Sequence, residues 1–196
     1  MGPLFAVVKP LGLVNETVFR IARGIGVVAV ALMVLVILIQ VFFRYVLNNA
    51  LPWPDEAARF CMLWMTGLMA PTALRRGGFV AIDMAVRALP RRMGEILSLL
   101  LLILSLSVLV MAVQIGWSEV TGFGGKFKSG SLFIPSDLTF TAWEKMPKSW
   151  MMASLLVGIV MMISANIELI IRSVISLMGG GDRLKPIPGA ASMGAE

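Results

Sequence analysis

Four long apolar stretches divide this chain and restrict it to a membrane fold. They comprise residues 25–43, 57–74, 96–117 and 149–167, each of 18 to 22 residues, and Arg59 is the only charged residue within them. A helix of about 20 residues is long enough to cross the hydrocarbon core of a bilayer. Because lipid offers no hydrogen-bonding partner to an open backbone, the stretches predict an all-α integral membrane protein with four transmembrane helices.

Composition excludes several kinds of catalytic site. The 196 residues contain no histidine and only one cysteine, Cys61. A bis-histidine haem site, a zinc protease site and a paired-cysteine redox site therefore lack their ligands. We expect a single membrane domain that is not an enzyme and has no cofactor or metal site, and we interpret Cys61 as a small packing residue.

The distribution of charge predicts that both termini are cytoplasmic. With four alternating spans, eleven of the 17 basic residues fall on the side of the termini, as the positive-inside rule requires. Four of the five tryptophans lie at the predicted outer boundary, where the indole ring is favoured: Trp53, Trp117, Trp143 and Trp150. Topology therefore explains the net charge of +6, and we expect no binding to nucleic acid.

A short amphipathic helix is predicted at residues 79–89, on the cytoplasmic side. Its apolar residues recur at helical spacing: Phe79, Ile82, Val86 and Leu89. Two interpretations remain open for this face, a connector that lies at the lipid interface or a helix that docks a partner protein. The outer segment, residues 118–148, is too apolar after Leu132 to be a free loop, and we expect it to contact lipid headgroups or another subunit.

Charged residues near the ends of the stretches suggest local pairs. Asn15 is interpreted as the N-cap of the first helix. Glu168 precedes Arg172 by four residues, a spacing that predicts an ion pair at the inner interface. Glu56 lies three residues before Arg59 on one helix face, and the tight turn before it predicts that Arg44 lies at a similar depth. These last three residues are candidates for fixing the first hairpin.

Polar groups inside the stretches are single and scattered. We interpret them as helix–helix hydrogen bonds or interface residues: Gln40, Thr66, Thr72, Ser105, Ser107, Gln114 and Asn166. A transporter that acts alone normally places ionisable groups near the middle of the membrane and carries an internal repeat, and neither is visible here. The pattern indicates a non-catalytic membrane subunit that packs against something else.

Several short motifs resemble a known family. They are Phe43-Arg44-Tyr45-Val46, Trp53-Pro54-Asp55-Glu56-Ala57-Ala58-Arg59, Gly67, Arg75-Arg76, Ile82-Asp83 and Leu89-Pro90. Together they resemble the small membrane subunit, of the DctQ type, of tripartite ATP-independent periplasmic (TRAP) transporters. The resemblance covers residues 40–92 well, and the rest in its four-span layout.

The resemblance implies two partners besides membrane lipids. One is a large membrane subunit that carries the sodium and substrate sites, and the other is a periplasmic protein that delivers an organic acid. In this interpretation the chain is a scaffold in a bacterial inner membrane, and Arg44, Trp53, Glu56 and Arg59 fix its first hairpin or contact a subunit. Two alternatives are a membrane anchor of an enzyme or redox complex and a stand-alone small exporter.

Overall fold

Four long helices and one small sheet make up most of the part of the chain that the computed structural model describes. It describes residues 2–77, 90–135 and 143–180, together with residues 184 and 186–188. In chain order the elements are α1 (Gly2–Tyr45), α2 (Pro54–Arg75), α3 (Arg91–Thr121), a 3-10 helix (Gly124–Lys126), β1 (Lys128–Pro135), β2 (Trp143–Pro147) and α4 (Ser149–Leu177). Each apolar stretch lies inside one of the four helices. The predicted amphipathic helix with Phe79, Ile82, Val86 and Leu89 lies outside the described residues.

Three of the helices in the described residues are long and apolar enough to cross a membrane. These segments are Ala6–Tyr45, Arg92–Thr121 and Ser149–Leu177. Helix α2, with 22 residues, is about 33 Å long, which also matches a bilayer. It is less apolar because Thr66, Pro71 and Thr72 interrupt its second half. The membrane class is therefore supported by three helices, and the fourth span stays a prediction.

The prediction of an all-α protein is wrong at residues 128–135 and 143–147, which form two strands. Strands β1 and β2 pair in antiparallel fashion, with Phe133 opposite Lys145 and Ile134 opposite Glu144. Glycines precede this segment and a proline ends each strand, so a long helix is disfavoured there. Leu132, Phe133, Ile134 and Trp143 lie in these strands, for which aromatic and β-branched side chains are well suited. The expected contact of this segment with lipid headgroups or another subunit stays a prediction.

The register of this hairpin shifts within β1. Lys128 lies opposite Pro147, whereas Phe133 lies opposite Lys145. The two pairs are five residues apart along β1 but only two residues apart along β2. The residues between Lys128 and Phe133 therefore bulge out of the ladder. A bulge leaves backbone amides without partners in the sheet, and these amides become available to other acceptors.

The chain divides into two compact units, and every long helix contributes to both. The first unit comprises Met1–Ile21, Met69–Ala112 and Ile159–Glu196. Its buried apolar core consists of Phe19, Leu74 and Ala165, against which Met161, Met162 and Leu169 pack. Helices α1, α2 and α4 supply these residues, so the three helices meet in this unit.

The second unit comprises Ala22–Leu68 and Val113–Gly158. Within it, α2 and α4 approach so closely that their backbones touch. A Cβ atom added to Gly158 would lie 2.6 Å from the carbonyl oxygen of Gly67 and 2.9 Å from its Cα. Small residues of this kind permit helix contact in lipid, where apolar side chains alone give little driving force.

Cysteine labelling decides whether α2 crosses the membrane. Asn49, in the turn before α2, is exposed, and the side chain of Lys128 in β1 is 60% exposed. If α2 spans, cysteines placed separately at these two positions in a Cys61→Ser background react with an impermeant maleimide from the same side of the membrane. If α2 does not span, α3 starts on the same side as Asn49 and carries the chain across, so the two cysteines label from opposite sides. An Arg20→Cys variant is the control, because α1 places it across the membrane from Asn49 in either case.

Candidate functional site

A buried ion pair joins α2 and α4 in the first unit. The guanidinium of Arg75 donates to both carboxylate oxygens of Glu168, from Nε to Oε2 at 2.9 Å and from Nη2 to Oε1 at 3.0 Å. Arg75 is 6% exposed, and Glu168 is completely buried. Arg172 also donates from Nε to Oε1 at 3.0 Å, which confirms the ion pair predicted from the spacing of four residues. Two arginines from two helices therefore neutralise one buried carboxylate.

Helix α1 supplies further acceptors for Arg75. Arg75 donates from Nη1 to Oε2 of Glu16 at 2.7 Å and from Nη2 to the backbone oxygen of Gly12 at 3.1 Å. Arg20 approaches Glu16 at 3.5 Å, but the side chain of Arg20 is 73% exposed. The planar fork of a guanidinium suits this set of acceptors better than an ammonium would. Arg75 thus connects α1 and α4 to the end of α2.

The interpretation of Asn15 as an N-cap is wrong. Helix α1 begins at Gly2, so Asn15 lies well inside the helix and its own amide is engaged elsewhere. It donates from Nδ2 to Oε2 of Glu168 at 2.8 Å and accepts from Oγ of Ser164 at 2.6 Å. Asn15 is 2% exposed. Asn15, which lies on α1, therefore supplies a hydrogen-bond donor to the buried carboxylate of Glu168 on α4.

The sequence contained a signal for this network that spacing within one helix did not reveal. In the four-span arrangement, Glu16, Arg75 and Glu168 all fall near the inner ends of their helices. Opposite charges at the same predicted depth on three helices are candidates for pairing, because an unpaired charge near lipid is costly. The arrangement is a cross-link between helices, since each buried charge is bound by another group of the same chain.

In the second unit, the bulged part of β1 encloses the carboxylate of Glu56. Backbone amides donate to it from three successive residues: Gly130 to Oε1 at 3.1 Å, and Ser131 and Leu132 to Oε2 at 2.8 and 3.2 Å. The hydroxyls of Ser129 and Ser131 also donate to Oε2, that of Ser131 at 2.7 Å. The amides freed by the bulge are the ones that bind Glu56, so one carboxylate holds the hairpin to the start of α2.

These hydrogen bonds lower the pKa of Glu56 to about 2. The hydroxyl of Ser129 contributes most, followed by that of Ser131, and the partial burial of the carboxyl opposes them. Hydrogen bonds to a carboxylate favour its charged form. The charged form is therefore the one that binds the hairpin at neutral pH.

The other residues singled out in this region have different surroundings. In the described part of the chain, neither Arg44 nor Arg59 is among the groups that bind Glu56. Both arginines are exposed, and Arg44 lies 5.9 Å from the ring centroid of Tyr45. Trp53 is half-buried, and its backbone oxygen accepts a hydrogen bond from the amide of Ala57 at the start of α2. That these residues fix the first hairpin or contact a subunit stays a prediction.

Glu56 and Arg59 line a common cavity of about 460 Å³ in the second unit. The lining residues come from α2, α3, the start of α4 and the residue before it: Glu56, Arg59, Leu63, Gly116, Glu119, Lys148, Met151, Met152 and Leu155. This cavity was not predicted from the sequence, because Glu119 and Lys148 are distant from Arg59 along the chain.

Long apolar helices tied together by buried ion pairs define a helical membrane protein of the multi-pass class. The family model described as tripartite ATP-independent periplasmic transporters, DctQ component, matches residues 33–175. The match covers 143 of the 196 residues, and the chain belongs to this family. The resemblance seen in the sequence motifs is thereby confirmed. A comparison with curated proteins gave no match.

Truncation of Arg75 should destabilise the chain strongly. Arg75→Ala leaves the buried Glu168 without its bidentate partner, and we expect a loss of about 3–5 kcal/mol in the free energy of unfolding. Arg20→Ala is the matched control and should cost about 0–1 kcal/mol, because its ion pair is exposed. Thermal unfolding in detergent measures both, and Arg75→Lys should be intermediate. Equal melting temperatures for Arg75→Ala and Arg20→Ala would contradict the role given to Arg75.

Truncation of Glu56 should release the hairpin, whereas truncation of Asp55 should not. Glu56→Ala removes the acceptor of three amides, and we expect faster hydrogen exchange at Gly130, Ser131 and Leu132. Asp55 is exposed, and Asp55→Ala removes only about 0.3–1 kcal/mol of interaction with the helix dipole.

The same experiment has a pH dependence with a definite sign. The pKa of Glu56 is about 2 in the folded chain, below the ordinary value of 4.5. Its contribution is therefore complete above about pH 4.5 and is lost as the pH falls towards 2. In the native chain, the exchange rate of the three amides, corrected for intrinsic rates, should rise as the pH falls from about 4.5 to 2. In Glu56→Ala it should be high at every pH. Equal protection of these amides in Glu56→Ala and Asp55→Ala would show that the carboxylate does not hold the hairpin.

Proposed function

We propose that this chain is the static membrane subunit of a sodium-driven TRAP transporter that imports an organic acid. The observation that carries the proposal is the arrangement of its buried charges. In the described residues, Arg75 of α2 binds both Glu168 of α4 and Glu16 of α1. A carrier that binds its own cargo keeps such groups near the middle of the membrane, often at broken helices. Charges that cross-link helices instead support a scaffold.

The exposed apolar faces of the helices support a large membrane partner. None of the most apolar 18 residues of α3 is buried within this chain. Seven of its exposed apolar side chains recur at helical spacing along one stripe: Ile96, Leu100, Ile103, Leu104, Val108, Met111 and Ile115. A stripe of this kind contacts either lipid or another membrane protein. We propose that the large subunit, which carries the sodium and substrate sites, occupies part of this surface.

The proposed placement has four spans in a bacterial inner membrane, with both termini in the cytoplasm. The excess of basic residues on the side of the termini supports this orientation. A periplasmic binding protein then approaches the side that carries the hairpin of β1 and β2.

Reconstitution tests the proposed function. Vesicles that contain the large subunit and this chain, with the binding protein outside, should take up a labelled sialic acid or dicarboxylate under an inward sodium gradient. Uptake should be lost when this chain is omitted or when the gradient is absent. The chain alone should bind none of these acids in calorimetry. Full uptake without the chain would contradict a required scaffold, and carboxylate binding by the chain alone would contradict a passive one.

A further inference from the structure

The cavity in the second unit changes from charged to apolar along its length. Glu56 and Arg59 lie in the first two turns of α2, while Leu63 lies one turn further along. Lys148 immediately precedes α4, and Leu155 lies seven residues later. At a helical rise of 1.5 Å per residue, seven residues correspond to about 10 Å. The cavity therefore has a charged region beside the ends of the helices and an apolar region beside turns further from those ends.

The charges that line this cavity are unequally engaged. The carboxylate of Glu56 is already bound by the bulge of β1. Within the described residues, Arg59, Glu119 and Lys148 form no ion pair. Two cations and one carboxylate thus remain available to a ligand. This set complements a ligand with one negative and one positive group.

We propose that the cavity binds a zwitterionic phospholipid. The phosphate interacts with Arg59 and Lys148, the ammonium group of the headgroup interacts with Glu119, and one acyl chain lies along Leu63 and Leu155. The volume of about 460 Å³ lies within the range of about 300–1,000 Å³ that is usual for sites of bound small molecules. The carboxylate is the specificity element, because it favours an ammonium headgroup and disfavours an anionic lipid.

The apolar part of the cavity distinguishes a lipid from a soluble anion. Inorganic phosphate could satisfy the two cations, but it would leave Leu63, Met151 and Leu155 facing water. An acyl chain covers these residues with apolar groups, which phosphate lacks. A diacyl phospholipid is therefore the occupant whose chemistry matches both ends of the cavity.

Native mass spectrometry of the full chain tests this proposal. The purified, delipidated chain is mixed with phosphatidylethanolamine, phosphatidylglycerol or inorganic phosphate at equal concentrations. We expect phosphatidylethanolamine to bind at least about threefold more tightly than phosphatidylglycerol, and phosphate not to be retained. The double variant R59Q/K148Q should weaken binding of phosphatidylethanolamine by a factor of about three to ten. Glu119→Gln should bring the affinities for the two lipids close together.

The matched control is K126Q/K145Q, which removes two exposed lysines that do not line the cavity. It should bind phosphatidylethanolamine as the native chain does, and circular dichroism shows whether each variant keeps its helices. Equal weakening by the two double variants, or equal binding of both lipids by the native chain, would overturn the proposal. Retention of phosphate alone would indicate a soluble anion instead, and no binding of either lipid would leave the cavity to a partner protein. Because the measurement uses this chain alone, its outcome is independent of the transport experiment.

Discussion

The bidentate ion pair between Arg75 and Glu168 is the interaction on which the first unit depends. Removing two charges from water costs several kcal/mol per ion, and attraction between them offsets this only when the remaining donors and acceptors are also satisfied. The surrounding residues meet that condition. Asn15 donates to the carboxylate, and Gly12 leaves space, since a Cβ atom there would lie 3.2 Å from Oε1 of Glu168. One ion pair thus constrains residue types on α1 as well as on α2 and α4.

The membrane explains why polar contacts have such a large share in this fold. Lipid chains are as apolar as leucine, so apolar side chains alone do not bring helices together. Helix α3 follows the same rule, because its contacts with α4 in the first unit include the hydrogen bonds from Asn166 to Ser105 at 3.0 Å and from Ser176 to Glu95 at 3.2 Å. In the second unit, backbone contact at Gly67 and Gly158 has the corresponding role. The apolar stripe of α3 takes no part in these contacts and is left for lipid or a partner.

Much of the architecture could be predicted from the sequence because it depends on composition over long windows. The helices, the ion pair between Glu168 and Arg172 and the family resemblance were all visible in local patterns. The pairing of Arg75 with Glu168 was not, since it joins residues 93 positions apart and no spacing rule reports it. Asn15 was misassigned because its residue type favours helix starts, whereas α1 continues through Pro10 and extends to Gly2.

The hairpin was missed for a related reason, and its structure links the second unit together. Charge alone favoured pairing of Glu56 with Arg44 and Arg59. The bulge of β1 instead offers five donors, and a carboxylate that binds several preorganised donors has less to gain from an exposed arginine. Because Ser129, Gly130, Ser131 and Leu132 satisfy Glu56, the charge of Arg59 remains available at the cavity. The same contacts that attach the hairpin to α2 therefore determine which charges the cavity can present to a ligand.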